Sequence, residues 1–136
     1  MDFKKIGVMG TGQMGAGIAQ VAADAGCSVL MADINLEIAE KAKAGIVKRL
    51  GKAVEKGKMQ QAQVDKIAAN LVPVKSVAEF KDVDIAIEAA TESIDLKIKL
   101  FKSLDDACKS EALLATNTSS ISITLMAAAT KRPEKV

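Results

Sequence analysis

The chain has 136 residues, of which 49% are hydrophobic and 26% are charged, and its net charge is +2. This composition is typical of one globular domain with a proper core, and the small net charge gives no argument for nucleic-acid binding. No apolar run is long enough to span a bilayer, no signal peptide precedes the first predicted strand, and Cys27 and Cys108 lack metal-ligand spacing. We therefore expect a cytoplasmic protein without a metal site, in which both cysteines are buried, inert thiols.

The first predicted elements are a buried strand over 3–9, a helix over 13–25 that Gly26 ends, and a second strand over 28–33. Between the first strand and the helix lies Gly10-Thr11-Gly12-Gln13-Met14-Gly15. This order of strand, glycine turn, helix and strand is typical of dinucleotide-binding domains.

Each glycine of this turn has a separate role in such a site. The first allows a tight turn, the second lets the backbone approach a pyrophosphate, and the third lets the helix pack close to the strand. The pyrophosphate then meets unpaired N–H groups at the helix start. Asp33 follows at the expected place of a ribose-binding carboxylate. The alternatives are a turn that binds no ligand and, for Asp33, a residue that ends its strand or caps the next helix.

The rest of the chain continues to alternate strands with helices. Apolar spacing and turn residues predict a long helix over 35–57 with Gly57 as its stop, a short helix over 60–69, strands over 71–75, 83–89 and 112–116, a crossover over 76–81, a helix that Ser93 caps, a short helix over 123–129 and a turn over 132–135. The sequence therefore predicts an α/β fold, a Rossmann-like doubly wound parallel sheet with a long helical insertion after the second strand. Val136 is typical of the start of a sixth strand, so we expect a fragment cut at a domain joint.

Polar groups converge where the predicted strands end, which is where doubly wound sheets bind ligands. The fourth strand ends on Ala89-Ala90-Thr91-Glu92, with Lys97 in the following helix, and the fifth ends on Asn117-Thr118-Ser119-Ser120. The amide of Asn117 suits a ribose or a nicotinamide, and the serine hydroxyls suit a substrate carbonyl. The alternatives are a loop that caps the helix at Ile123 and a solvated ion pair between Glu92 and Lys97.

The long helix carries lysines 7, 4 and 4 residues apart that share one face, namely Lys41, Lys48, Lys52 and Lys56. This face suits a phosphate-rich ligand, and the alternative is an ordinary solvated surface. The sequence contains no histidine. Because histidine is the commonest general base, we expect the proton acceptor of any dehydrogenase reaction to lie elsewhere.

Three segments resemble the 3-hydroxyacyl-CoA dehydrogenases, above all the bacterial 3-hydroxybutyryl-CoA dehydrogenases. They run over 6–19, 88–92 and 115–124, and the last, with Asn-Thr-Ser-Ser after the fifth strand, is the most specific. The resemblance implies that the glycine turn and Asp33 bind NAD. It also implies that Glu92, Lys97, Asn117 and Ser119 line the nicotinamide side.

The same resemblance implies that Ser119 contacts the substrate oxygen and that Asn117 helps to orient the reactants. It places Lys52 and Lys56 in a helical arm that holds coenzyme A. Residues 1–136 would be the NAD-binding domain, without the catalytic His and Glu and without the helical domain through which the parent forms a homodimer.

The implied reaction is the oxidation of an (S)-3-hydroxyacyl-CoA to the 3-ketoacyl-CoA. Two other interpretations stay open, a non-catalytic NAD(H)-binding module and a different Rossmann reductase of 3-hydroxyacids. An NADP-dependent reductase is disfavoured by Asp33 itself and by the lack of an adjacent Arg, since such enzymes usually place Arg or Ser/Thr near the end of the second strand to receive the 2′-phosphate.

Overall fold

In the part of the chain that the structure describes, a five-stranded parallel sheet organises the fold. The computed structural model describes residues 3–89, 94–116 and 123–136. The strand order is β3-β2-β1-β4-β5, and the strands are β1 Lys5–Met9, β2 Ser28–Ala32, β3 Leu71–Pro73, β4 Ile85–Glu88 and β5 Leu113–Thr116. All neighbouring strands run parallel. The chain winds outward in opposite directions from β1 and β4, so the predicted doubly wound sheet is confirmed, with its switch point between these two strands.

Helices cover the sheet on both faces. They are α1 Gln13–Asp24, α2 Leu36–Glu55, α3 Gln61–Asn70, α4 Ile94–Ala107 and α5 Ile123–Ala128. Both α2 and α3 lie between β2 and β3 in the chain, which confirms the helical insertion. Short 3-10 turns lie at Val77–Glu79 and Pro133–Lys135.

The predicted helix stops are confirmed and the other bounds differ by a few residues. Gly26 and Gly57 adopt φ of +98° and +74° just after α1 and α2, which are values that L side chains rarely adopt. Asn35 was expected inside the long helix, but its side chain accepts a hydrogen bond from the Ile38 N–H at 3.0 Å and so caps it. The strands are also shorter than predicted. Val83, for example, was assigned to the fourth strand and is buried, but it precedes the regular pairing of β4.

The core has two parts, one on each face of the sheet. On one face α1, α2 and α3 pack against residues such as Val8 and Met31. On the other face α4 packs with Phe80 against Leu30 and Leu114. Successive residues of β2 therefore point into opposite parts of the core, which is expected of a parallel sheet that is covered on both sides.

Arg132 fixes the last segment of the chain to α4. Its Nε donates to the Asp105 carboxylate at 2.7 Å, and its terminal nitrogens donate to the carbonyls of Asp105, Cys108, Lys109 and Ala112. The sequence predicts only a turn over 132–135, and no local pattern in it indicates this buried pair. Val136, the predicted start of a sixth strand, packs beside the α4 part of the core. A strand that begins at this residue stays a prediction. Among the described helices, none is long and apolar enough to cross a membrane.

Candidate functional site

A pocket of about 410 Å³ lies at the carboxyl ends of β1, β2 and β4. We call it the strand-end pocket, and its lining residues are Met9, Gly10, Gly12, Asp33, Ile34, Ala89, Leu96 and Leu100. Four of the predicted site residues are thus brought together, because the switch point of the sheet gathers these strand ends.

The three glycines of the turn meet three different constraints. Gly10 has φ +101°, which only glycine adopts readily. A Cβ on Gly15 would lie 1.7 Å from the Gly10 carbonyl oxygen, so the start of α1 packs directly on the turn. A Cβ on Gly12 would meet no atom within 4 Å. The described part of the chain therefore gives no packing reason for glycine at position 12, and a ligand that approaches the backbone there would give one.

The start of α1 offers backbone donors to that ligand. Gly12 is the N-cap residue of α1, and because glycine has no side chain it cannot cap the helix with a side-chain hydrogen bond. The first N–H groups of a helix have no partner within the helix, and they favour an anion. Gln13 and Met14, two further predicted site residues, are exposed in this first turn and also line a second groove along α1. The open space beside Gly12 and these N–H groups fit a pyrophosphate.

Asp33 follows β2 directly, and the glycine turn holds its carboxylate. The backbone N–H and the hydroxyl of Thr11 both donate to Oδ2 at 2.7 Å, and the Ile34 N–H donates to Oδ1 at 2.7 Å. Partial burial on its own would raise the pKa of Asp33, but these hydrogen bonds outweigh it and lower the pKa below its usual value. The carboxylate is therefore charged at neutral pH.

Apolar side chains form the rest of the strand-end pocket. Ile34 is 84% exposed and Leu96 is 53% exposed, although both are large and hydrophobic. Together with Met9 and Leu100 they present apolar walls near a fixed carboxylate. These walls were not predicted from the sequence. The available signal was the position of Ile34 directly after Asp33 and that of Leu96 on the first turns of the helix after β4.

Glu88 and Lys97 form a buried ion pair at the end of β4. Both Glu88 oxygens lie 2.6 Å from Lys97 Nζ, and the Thr116 hydroxyl donates to Glu88 Oε1 at 2.7 Å. Lys97 is therefore not a solvated surface residue, and that alternative is wrong for its side chain. Its predicted role toward a cofactor stays a prediction. The signal that was missed is Glu88 itself, since a carboxylate at the end of an apolar strand requires a partner.

Several predicted site residues lie outside the described residues, and two others do not line the strand-end pocket. Outside the described ranges are Glu92, Asn117 and Ser119. Lys52 and Lys56 are exposed at the end of α2, on the helix face that the sequence analysis singled out. Their role stays a prediction.

The two cysteines are free thiols. Burial raises the pKa of Cys108 to about 11, which keeps this thiol protonated and inert as predicted. Cys27 is half-buried and donates to the Phe3 carbonyl at 3.2 Å. Over the described ranges no group of three or more Cys, Asp or Glu residues is arranged to hold a metal ion.

Comparison with known proteins identifies relatives along almost the whole chain. Residues 5–136 match the protein family described as "3-hydroxyacyl-CoA dehydrogenase, NAD binding domain". The chain is 43% identical, over 136 residues, to a probable 3-hydroxybutyryl-CoA dehydrogenase of Bacillus subtilis. The matched region covers 100% of this chain and 47% of that protein.

Solved structures agree with this result. A crystal structure of a 3-hydroxybutyryl-CoA dehydrogenase from Escherichia coli K12 superposes with a TM-score of 0.96 at 42% identity, covering 100% of this chain and 29% of that one. An (S)-3-hydroxybutyryl-CoA dehydrogenase from Ralstonia eutropha superposes with a TM-score of 0.94 at 38% identity, covering 98% of this chain and 47% of that one. The chain thus spans less than half the length of these relatives.

Proposed function

The chain belongs to the family of 3-hydroxyacyl-CoA dehydrogenase NAD-binding domains, and from this premise we propose that it is the cofactor-binding part of an enzyme that interconverts (S)-3-hydroxyacyl-CoA and 3-ketoacyl-CoA. A 3-hydroxybutyryl group is the favoured acyl chain, because relatives at 41–43% identity carry that name. The observation that carries the proposal is the joining of a glycine turn to a fixed Asp33 carboxylate at the switch point of the sheet.

The strand-end pocket would hold the adenosine half of NAD. The Asp33 carboxylate would accept a hydrogen bond from a hydroxyl of the adenosine ribose, and the apolar walls of Ile34, Leu96 and Leu100 suit the two faces of a purine ring. The open space beside Gly12 would take the pyrophosphate, because the N–H groups that begin α1 offer hydrogen bonds there. When it is bound, NAD supplies the hydride acceptor.

The substrate side of the proposal rests on residues that the family resemblance assigns. Ser119 positions the substrate oxygen, while Asn117, Glu92 and Lys97 line the nicotinamide side. Lys52 and Lys56 would bind phosphates of coenzyme A, which their exposure and charge at the end of α2 allow.

The base that takes the hydroxyl proton is proposed to lie outside these 136 residues. The chain has no histidine, and Lys97 is engaged by Glu88. We infer that the base comes from the part of the longer relatives that this chain does not match. A homodimer formed through that part, and a cytoplasmic location consistent with two free thiols, complete the proposal.

Amide NMR of the isotope-labelled chain tests the cofactor site. Adding NADH should shift the resonances of Gly10, Gly12, Ile34 and Leu96 most strongly, because these residues line the strand-end pocket. Amides of α3, on the helical insertion, serve as the internal control and should shift little. Saturable binding without shifts in the pocket would contradict the assignment, and no binding at all would contradict the proposed function.

An assay of the chain alone tests the proposed division of labour. With NAD and (S)-3-hydroxybutyryl-CoA, the chain should produce no measurable NADH absorbance, since a positioned base contributes roughly 10²–10⁴-fold. Turnover by the isolated chain would mean that a residue such as Lys97 acts as the base.

A further inference from the structure

Thr11 is the only non-glycine residue in the first half of the glycine turn, and both of its hydrogen-bond donors point to one atom. Its N–H and its hydroxyl each lie 2.7 Å from Asp33 Oδ2. The Thr11 residue is 7% exposed, so the donor side of these contacts is buried, while Asp33 is partly buried. A buried threonine in the turn after β1 thus binds the carboxylate that follows β2.

This contact divides the donors of the turn between two tasks. The Thr11 N–H is bonded to Asp33, so the N–H groups that remain for an anion are those at the start of α1. An ionised carboxylate offers about four acceptor sites. The two Thr11 donors and the Ile34 N–H occupy three of them, and an acceptor site remains on Oδ1.

We propose that Thr11 is a specificity-determining positioning residue, whose hydroxyl and N–H hold the Asp33 carboxylate in one orientation. In that orientation the carboxylate accepts a hydrogen bond from an adenosine ribose hydroxyl and repels a 2′-phosphate. This inference rests on the proposed function, because it concerns the same pocket. A freely rotating Asp33 could turn its charge away from the 2′ position. A carboxylate fixed on one oxygen by two donors and on the other by a third is preorganised before the ligand binds.

The hydrogen bonds also favour the ionised form of this partly buried carboxylate. Burial alone raises the pKa of Asp33, and the Thr11 donors are the first of the contacts that reverse this effect. Removing the hydroxyl therefore loosens the orientation of the group that distinguishes the two dinucleotides and raises its pKa, while the carboxylate stays charged at neutral pH.

The test compares Thr11→Val, which has nearly the same shape but no hydroxyl, with Thr11→Ser, which keeps the hydroxyl. Calorimetry with NADH and with NADPH is done for each at one ionic strength. Thr11→Val should bind NADH about tenfold more weakly, because a hydrogen bond to a charged group is lost. Its affinity for NADPH should be unchanged or higher, so the NADH preference narrows. Thr11→Ser should keep both affinities within about twofold.

A second readout separates positioning from a merely structural role. Carbon-13 NMR of the Asp33 carboxyl should show a higher pKa in Thr11→Val than in the unsubstituted chain and in Thr11→Ser. Thr11→Ala removes the same hydroxyl and carries the comparison if Thr11→Val does not fold, as circular dichroism would reveal.

The outcomes distinguish this inference from the proposed function. Equal losses of NADH and NADPH affinity in Thr11→Val, or no loss of NADH affinity, would overturn the role of Thr11 while the proposed function stands. An unsubstituted chain that binds no NADH would overturn both.

Discussion

Glu88 and Lys97 form a buried ion pair in which both carboxylate oxygens lie 2.6 Å from the ammonium nitrogen. Their side chains are 0% and 2% exposed. The pair joins β4 to α4, and the Thr116 hydroxyl extends the contact to β5. Because Ala89, which follows Glu88, lines the strand-end pocket, this network fixes one wall of the site.

Replacing Lys97 by Met should therefore destabilise the chain strongly. The variant takes the Lys97 ammonium away from the buried Glu88 carboxylate, and breaking a buried ion pair in this way costs about 3–5 kcal/mol of unfolding free energy. Urea unfolding followed by circular dichroism measures the loss. Lys99→Met, on an exposed part of the same helix, is the matched control and should change stability by less than about 0.5 kcal/mol. A Lys97→Met chain as stable as the control would show that the ion pair contributes little.

The glycine turn makes a prediction that separates binding from folding. Gly12→Ala should keep the fold, because the added Cβ meets no atom within 4 Å. It should lower the affinity for NADH about tenfold or more, since the methyl group occupies the space proposed for the pyrophosphate. Calorimetry measures the affinity.

Two other glycines provide the controls for Gly12→Ala. Gly45→Ala also places its Cβ in open space, but on α2, and should leave NADH affinity unchanged. Gly15→Ala should instead damage the fold, because its Cβ would lie 1.7 Å from the Gly10 carbonyl oxygen. Unchanged NADH affinity in a folded Gly12→Ala chain would leave the turn with a structural role only.

Asp84 predicts an acid-dependent part of the stability. Its side-chain hydrogen bond from Lys109 and the backbone hydrogen bonds from Lys4 and Lys5 lower its pKa from 3.8 to about 2. A pKa that is lower in the folded state gives stability that is complete above the unfolded value near 3.8 and is lost as the pH falls toward about 2.

Asp84→Asn tests this linkage. At neutral pH it should lower the unfolding free energy by about 1–2 kcal/mol, and the difference from the unsubstituted chain should shrink as the pH falls below 4 (about the unfolded pKa of an aspartate). Asp82→Asn, at a neighbouring side chain that is 81% exposed, is the control and should have little effect at any pH. A difference for Asp84→Asn that is independent of pH would contradict the assigned cause.

The lysines at the end of α2 predict a salt-dependent contact with coenzyme A. Replacing Lys52 and Lys56 together by Ala should weaken binding of free coenzyme A about threefold or more at low ionic strength, and high salt should reduce the difference. Lys66→Ala, exposed on α3, removes a charge elsewhere and should have no effect. If the double substitution of Lys52 and Lys56 leaves coenzyme A binding as unchanged as Lys66→Ala does, the lysine face is an ordinary solvated surface.

The order of the elements could be predicted from the sequence because apolar runs, glycines and turn residues act locally. Gly26 and Gly57 mark helix ends through their own backbone conformation. The alternation of strands and helices leaves the doubly wound sheet as the natural arrangement, and the observed strand order agrees. Exact strand ends were less predictable, since they depend on pairing with neighbours that are distant in the chain.

The site could be predicted only in part, for a similar reason. Gly10, Gly12, Asp33 and Ala89 meet in one pocket because each follows or begins an element at the same edge of the sheet. The bond between Thr11 and Asp33 spans 22 residues, and that between Lys109 and Asp84 spans 25. Such contacts depend on the register between strands and on side-chain packing, and no local pattern of residues encodes them.

The competition between two dinucleotides tests the central claim most directly. Calorimetric titrations of the unsubstituted chain with NADH and with NADPH, at one ionic strength, compare ligands that differ by the 2′-phosphate alone. A fixed, ionised Asp33 should favour NADH by about tenfold or more, or about 1.4 kcal/mol, and Asp33→Asn should narrow this preference. Equal affinities for the two dinucleotides, or a preference for NADPH, would contradict the account of the strand-end pocket.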